Sequence, residues 1–278
     1  MNEEISTLVA RFEASRLDLA IEDFVQTHLQ MSPRYRGNKR LTVFERQAFS
    51  QFGEDGIIRE IFERIGVTNR FFIEFGVQDG LECNSTLLLH DRWKGVWFEP
   101  DEACARRIES TFSKVLARGV LQFRQTSVDA ENVESLFNSC AAPAEFDLLS
   151  IDIDGDDYWV WKAIVSFKPR VVVIEYNSTF PPPVRWVRPY DPAARWAQDS
   201  SYSASLKSLE LLGRAKGYSL VGCGFAGVNA FFVRDDLVGE LFETPFTAEH
   251  HYEPPRFFLA RKPGHPRRFQ ESADETSD

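Results

Sequence analysis

The segment FDLLSIDIDGDDYWVW, residues 146–161, sets Asp152, Asp154, Asp156 and Asp157 directly behind a run of apolar residues. Carboxylates this close to a core are costly unless a cation, hydrogen-bond donors or a bound proton offset them. A set of oxygen donors suits a hard divalent ion, magnesium, calcium or manganese before zinc. A calcium loop of the EF-hand type needs glycine at its sixth position and glutamate at its twelfth. Counted from Asp152, glycine falls fourth, as Gly155, and the twelfth residue is Ala163, which excludes that loop. A DxD metal site of the kind that holds nucleotide sugars in glycosyltransferases fits either DID or DGD and stays open. Helix capping is the plainer role, since carboxylates at a helix N-terminus are favoured by about 0.3 to 1 kcal/mol. Capping accounts for Asp156 and Asp157 but not for four acids in six positions.

Three other places offer chemistry. FIEFGVQDG carries Glu74, Gly76 and Gly80 in an ExGxxxG pattern, where glycines let the backbone approach a ligand. The spacing is not the GxGxxG of a dinucleotide site. Glu99 ends the next apolar run, a position from which a carboxylate can accept two ribose hydroxyls. In TSVDAEN, Ser127 and Asp129 can read an adenine edge, and Asp129 can equally cap the helix that follows. Further on, PPPVRWVRPY brings Arg185, Trp186, Arg188 and Tyr190. An arginine there, Arg185 above all, is expected to clamp a carboxylate or phosphate on a substrate. The histidines are not grouped with the acids.

These residues need elements to hold them. From residue 71, short apolar runs alternate with helical patterns: RFFIEFG, KGVWFEPD, GVLQFRQTS, EFDLLSID and RVVVIEYN read as strands. ECNSTLLLHDRW, EACARRIESTF, DAENVESLFNSC and DYWVWKAIVSF read as the helices between them. Repeated strand-helix units predict an α/β fold, a doubly wound and mainly parallel sheet covered on both faces, whose ligand lies outside the carboxyl ends of the strands. Ahead of the sheet, apolar positions at helical spacing over residues 4–30 predict one or two amphipathic helices. SQFGEDGIIREIFERIG predicts a further helix with Ser50 near its start and Gly66 at its stop. Behind it lie a long loop, the helix SASLKSLELLGRAKG, and YSLVGCG with VNAFFVRD as a C-terminal hairpin. The boundaries follow as a helical attachment over 1–49, a main domain over 50–262 and a frayed polar tail over 263–278.

In this order the motifs resemble the class I S-adenosylmethionine-dependent methyltransferase fold over roughly residues 50–235. The resemblance implies that Glu74, Gly76 and Gly80 face the methionine part of S-adenosylmethionine, that Glu99 holds the ribose, and that Ser127 and Asp129 lie by the adenine, with Asp152 also at the cofactor. SQFGEDG is similar to the lead-in of FkbM-like methyltransferases and brings in Gln51 and Asp55 near the cofactor. IDGDDYWVWKA looks like the DGDxYxS stretch of macrocin-type sugar O-methyltransferases, whose aspartates bind magnesium. On that likeness the metal ligands are Asp154, Asp156 and Glu175, with Tyr176 where the family has a further aspartate; Asp152 is expected beside them as a further ligand or a partner behind the ligands, and a carboxylate such as Asp154 can take the acceptor proton. The implied function is O-methylation of a small polar molecule, a sugar or natural-product intermediate. A glycosyltransferase-like metal enzyme and a cofactor-binding protein without catalysis remain as alternatives.

A net charge of −10 argues against nucleic acid or an anionic membrane surface as the main partner, since both reward clustered Lys and Arg. No stretch approaches membrane-spanning length, and MNEEISTLVARFEAS lacks the continuous apolar region of a secretory signal. Cys83, Cys104, Cys140 and Cys223 fit no metal-ligand spacing and read as reduced thiols, so a cytoplasmic protein is expected. Self-association into a homo-oligomer is left open.

Overall fold

The computed structural model describes residues 2–193, 197, 199–260 and 265–271. Seven strands form one sheet: β1 (Phe71–Phe75), β2 (Lys94–Phe98), β3 (Leu121–Arg124), β4 (Glu145–Ile151), β5 (Lys168–Glu175), β6 (Tyr218–Cys223) and β7 (Asn229–Arg234). Their order is β3-β2-β1-β4-β5-β7-β6. Strands β1 to β5 pair in parallel, and β7 lies antiparallel between β5 and β6. The doubly wound, mainly parallel, Rossmann-like architecture and the terminal hairpin are therefore as the sequence predicts. The chain winds outward from β1 to β3 and then restarts at β4 on the other side of β1, so the loops after β1 and β4 part company and leave a crevice at the strand ends.

Helices α1 (Asn2–Phe24), α2 (Glu54–Ile65), α3 (Glu102–Thr111), α4 (Ser113–Ala117), α5 (Val133–Ser139), α6 (Asp157–Ala163), α7 (Leu206–Ala215), α8 (Asp235–Val238) and α9 (Ala248–His251) accompany the sheet. One face carries Ile57, Ile58 and Ile61 of α2 with Ile108 of α3. The other carries Phe137 of α5, Trp161 of α6 and Leu209 of α7. The strands are apolar on both faces because both are covered.

Two predicted helices change at the ends that matter for the site. Helix α2 begins at Glu54 rather than near Ser50, because the Asp55 carboxylate accepts the backbone N–H groups of Ala48, Phe49 and Ser50 and curls the preceding segment back on itself. The helix expected over ECNSTLLLHDRW shrinks to a 3₁₀ turn, Leu87–Asp91. There the backbone N–H groups of Asn84 and Ser85 donate to Glu74, so the first turn of a longer helix cannot form.

Helix α1 carries the predicted apolar residues, yet Ile5, Leu8, Phe12 and Leu17 are exposed and cover begins only at Ile21. Of the tail expected to fray, residues 265–271 instead lie against the body, where Phe269 packs on His90 and Phe112. Residues 263–264 and 272–278 lie outside the described residues, as do 261–262 at the end of the predicted main domain. All four cysteines are free. Among the described residues no helix is long and apolar enough to cross a membrane.

Candidate functional site

A cavity of about 1080 Å³ opens at the carboxyl ends of β1, β2, β4 and β5. On the β1 side the chain turns at Gly76, whose φ is +71°, and a Cβ there would sit 1.6 Å from the carbonyl oxygen of Asp152. Only glycine lets the loop after β1 pass this close to the end of β4. Two residues on, Gln78 adopts a left-handed φ of 49° and donates its N–H to Glu99 Oε2 at 2.8 Å. The N–H of Asp101 donates to Oε1 at 2.9 Å. Glu99 at the end of β2 is thus fixed by two backbone donors and lines the cavity, and burial raises the pKa of its carboxyl group above the ordinary range. Ser127 and Asp129 line the same wall. Asp129 also accepts the N–H groups of Glu131 and Asn132 at its Oδ1, bracing the turn ahead of α5.

Glu74, Gly80 and Asp55 serve the site from behind the wall instead of lining it. Register puts Ser150 beside Glu74, and Glu74 accepts from the hydroxyls of Ser150 and Ser85 as well as from the N–H groups of Asn84 and Ser85. Both of its oxygens are committed to shaping the loop after β1. Gly80 is a packing glycine, because a Cβ would meet Phe112 at 2.6 Å and Trp97 at 2.8 Å. Asp55 Oδ2 organises residues 48–50 as described above, whereas Gln51 on that segment does reach the cavity.

The opposite wall carries the acids. Asp152, Asp154 and Glu175 each bring one carboxylate oxygen to within 4.8 Å of the other two. Asp156, predicted as a ligand, is not among them. Its Oδ1 takes Arg188 Nη1 at 2.7 Å and its Oδ2 the N–H of Asp191 at 3.2 Å. Asp152 stands in its place. The cause is the turn between them: Asp154 has a φ of +56°, which swings it toward Asp152 and turns Asp156 toward the following loop. Asp157, wholly buried, accepts the N–H of Ile153 at 2.8 Å and that of Gly155 at 3.2 Å, bracing the loop on both sides of Asp154.

Burial is the main reason the pKa values of Asp152 and Glu175 stand well above the carboxylate range, and the charge of Asp154 adds to the rise at Asp152 as that of Asp152 does at Glu175. Burial likewise raises Asp154, and it lifts Asp157 to about 7. Glu175 Oε2 is buried with no hydrogen-bond partner. The contrast is Asp147 at the far end of β4, which is wholly buried and holds the backbone N–H groups of Thr68, Asn69 and Arg70 and the guanidinium of Arg170 at 2.7 Å. Asp147 is an acid satisfied by the fold, and Glu175 is not. Tyr176 turns the other way, donating its hydroxyl to the carbonyl of Glu253.

The loop after β5 folds back as a short ribbon in which Val187 bridges Ala204. Arg185 is exposed and lies off the cavity lining, so the clamp expected of it is not where the structure puts it. Arg188, three residues on, lines the cavity but is occupied by Asp156. Thr179, Tyr202 and Phe257 complete the mouth. Sequence reasoning missed Gln78, Ser203 and Tyr202, for which the sequence carried no signal, and it read Asp157 only as a helix cap.

No family model matches this chain, and no curated protein does. Solved structures do resemble it loosely. The N-terminal domain of EvdMO1 with SAH bound aligns at a TM-score of 0.42 and 16% identity over 68% of this chain and 81% of that one. A putative caffeoyl-CoA O-methyltransferase from Staphylococcus aureus gives 0.45 and 11% over 84% and 99%. The O-methyltransferase TomG from Streptomyces achromogenes, in complex with SAM, gives 0.43 and 15% over 80% and 99%. Likenesses this loose say nothing about what the present chain transfers, or to what.

Proposed function

We propose that the protein is an S-adenosylmethionine-dependent methyltransferase acting on a hydroxyl of a small polar acceptor, with a divalent cation held by Asp152, Asp154 and Glu175. One observation carries the reading: a single cavity has a nucleoside-type wall, Gly76, Glu99, Ser127 and Asp129, facing a carboxylate trio with an unpartnered buried oxygen. Both groups fit the residues present. The Gly76 turn leaves room for close approach, and each Glu99 oxygen, having accepted one N–H, keeps a lone pair for a ribose hydroxyl. At about 1080 Å³ the cavity is at the upper end of ligand pockets, which run to about 1,000 Å³, so cofactor and acceptor fit side by side. Three carboxylates without a basic partner among the described residues suit a hard cation.

S-adenosylmethionine supplies an electrophilic methyl group, and transfer is an in-line displacement that needs the acceptor oxygen about 3 to 3.5 Å from the methyl carbon. A divalent cation lowers the pKa of a bound hydroxyl. The chain does the remainder. Glu99 and the Gly76 turn set the depth of the cofactor, and the acid trio sets where the acceptor oxygen stops. Asp154 is the carboxylate placed to take the acceptor proton, and Asp157 and the left-handed turn hold its loop in place. The Arg188–Asp156 pair closes the wall between this loop and the ribbon.

Calorimetry with S-adenosylhomocysteine and with nucleotide sugars tests the reading. Binding of the first and not the second is expected, and the reverse overturns it. Manganese is expected to raise the melting temperature by mass action, with the shift lost in Asp154→Asn. Turnover that persists in excess chelator would remove the cation and leave Asp154 as the base alone.

A further inference from the structure

Ser203 lies outside the cavity lining, is wholly buried, and holds a left-handed φ of 48° without being glycine. Among the described residues, six that are not glycine have positive φ, and three of these, Gln78, Asp154 and Ser203, sit at this site. Gln78 spends its conformation on the N–H that it gives to Glu99 and Asp154 on reaching the trio. A backbone held in a sparsely populated region persists where the surroundings over-determine it, and such residues gather at functional sites.

The surroundings of Ser203 are specific. Its N–H donates to the carbonyl of Gly155 at 2.9 Å, its Oγ donates to the carbonyl of Glu175 at 2.7 Å, and its own carbonyl accepts the N–H of Arg188 at 3.1 Å. One residue therefore ties the aspartate loop after β4, the end of β5 and the ribbon that carries Arg188. Asp154 precedes Gly155, so the bond from the Ser203 N–H fixes the loop next to Asp154, and the bond from its hydroxyl fixes the backbone of Glu175. No strand pairing joins these two points, since the β4–β5 ladder ends at Ile151 and Ile174.

Resting on the cation reading above, we propose that Ser203 is a positioning residue that sets the separation of Asp154 and Glu175 and so the affinity of their cation site. Its hydroxyl acts on the backbone carbonyl of Glu175 and so fixes where the side chain leaves the end of β5, whereas the partners of metal ligands more often bond the ligating group itself. The left-handed conformation is what lets the N–H and the hydroxyl of one residue face two different segments.

The test compares the full-length protein with Ser203→Ala and Ser203→Cys, with manganese as the probe. Free manganese is followed by electron paramagnetic resonance, S-adenosylhomocysteine affinity by calorimetry, and melting in chelator. In Ser203→Ala, which keeps both backbone bonds and loses the hydroxyl, manganese affinity is expected to fall about three- to tenfold, the equivalent of one hydrogen bond. S-adenosylhomocysteine affinity should stay within about twofold, because the hydrogen bonds of Ser203 go to Gly155, Glu175 and Arg188 and not to the Gly76–Glu99 wall. Ser203→Cys, nearly isosteric with a weaker donor, should fall in between, and it serves as the probe if the alanine variant does not fold. Unchanged manganese affinity in a folded variant overturns the positioning role while leaving the cation reading intact. A wild-type protein that binds S-adenosylhomocysteine but no manganese overturns both cation statements together. Equal losses of manganese and S-adenosylhomocysteine would make Ser203 a general brace of the fold and also overturn the proposal.

Discussion

Glu99 offers the sharpest single-residue measurement. Its two oxygens are already oriented by the N–H groups of Gln78 and Asp101, so a bound ribose meets a carboxylate that needs no rearrangement. Glu99→Ala leaves two ribose hydroxyls short of a charged acceptor, at a cost of about 1.5 to 3 kcal/mol. S-adenosylhomocysteine affinity by calorimetry is expected to fall by roughly ten- to a hundredfold, and an unchanged value removes Glu99 from the site. Glu99, Ser127 and Asp129 are legible in the sequence because a parallel sheet delivers every strand end to the same edge, so the last polar residue of a strand pattern is already placed. Asp156 and Arg185 are not legible in this way. Their direction depends on a turn at Asp154 that no periodicity announces, and on a loop in which two arginines three positions apart face different surroundings. Residue type shows that an acid trio and an arginine are available. Which members of DIDGDD and RWVR fill those places is decided by backbone conformation.

At the scale of elements, the strand ends after β1 and β4 must nearly touch for the two walls of the cavity to face each other. Gly76 is the point of contact. Gly76→Ala places a Cβ on the Asp152 carbonyl and forces a side chain into a left-handed conformation. The conformational cost alone is about 1 to 2 kcal/mol, and relief of the clash has to move the loop that carries Asp152. Melting should drop by several degrees, and both S-adenosylhomocysteine and manganese binding should weaken. A variant that melts as the wild type does and binds both would mean that the two loops are not in contact. The strands and most helices are legible because burial on both faces leaves continuous apolar runs and helical stripes. The element after Gly80 is the instructive failure. Leu87, Leu88 and Leu89 supply a helical pattern, yet Glu74 captures the N–H groups at its start. A long-range hydrogen bond outweighs local propensity there, and it is invisible to any reading confined to neighbours in sequence.

For the molecule as a whole, the N-terminal segment is expected to act on the cavity through the chain that rims it. Residues 252–260 bring Phe257 and Ala260 to the cavity mouth. That stretch is pinned by Glu253, wholly buried, which accepts the Tyr35 hydroxyl at 2.7 Å and Arg256 Nη1 at 2.8 Å and pairs with Arg34 at 3.2 Å. Two of these three partners come from the first 49 residues. Leu41, fully buried within the core between the sheet and α2, ties the same segment down a second time. By contrast Ile5, Leu8, Phe12, Leu17 and Leu19 of α1 are exposed, so the first turns of that helix contribute little to the body. Removal of residues 2–19 should therefore leave melting within about 2 °C, whereas removal of residues 2–36 takes away Arg34 and Tyr35 and leaves Glu253 with Arg256 alone. Arg34 is half-exposed, so its ion pair contributes about 1 kcal/mol or less, while loss of the Tyr35 hydroxyl leaves the buried carboxylate short of a donor at about 1 to 3 kcal/mol; each kcal/mol shifts melting by about 2 to 4 °C in a domain of this size. A drop of about 6 °C or more is expected, with weaker binding in the cavity as residues 252–260 loosen. Tyr35→Phe isolates the contribution of one hydrogen bond, with an expected loss of about 1 to 3 kcal/mol from the acceptor left short of a donor. If the longer truncation melts as the shorter one does and binds S-adenosylhomocysteine equally well, the N-terminal segment has no hold on the cavity.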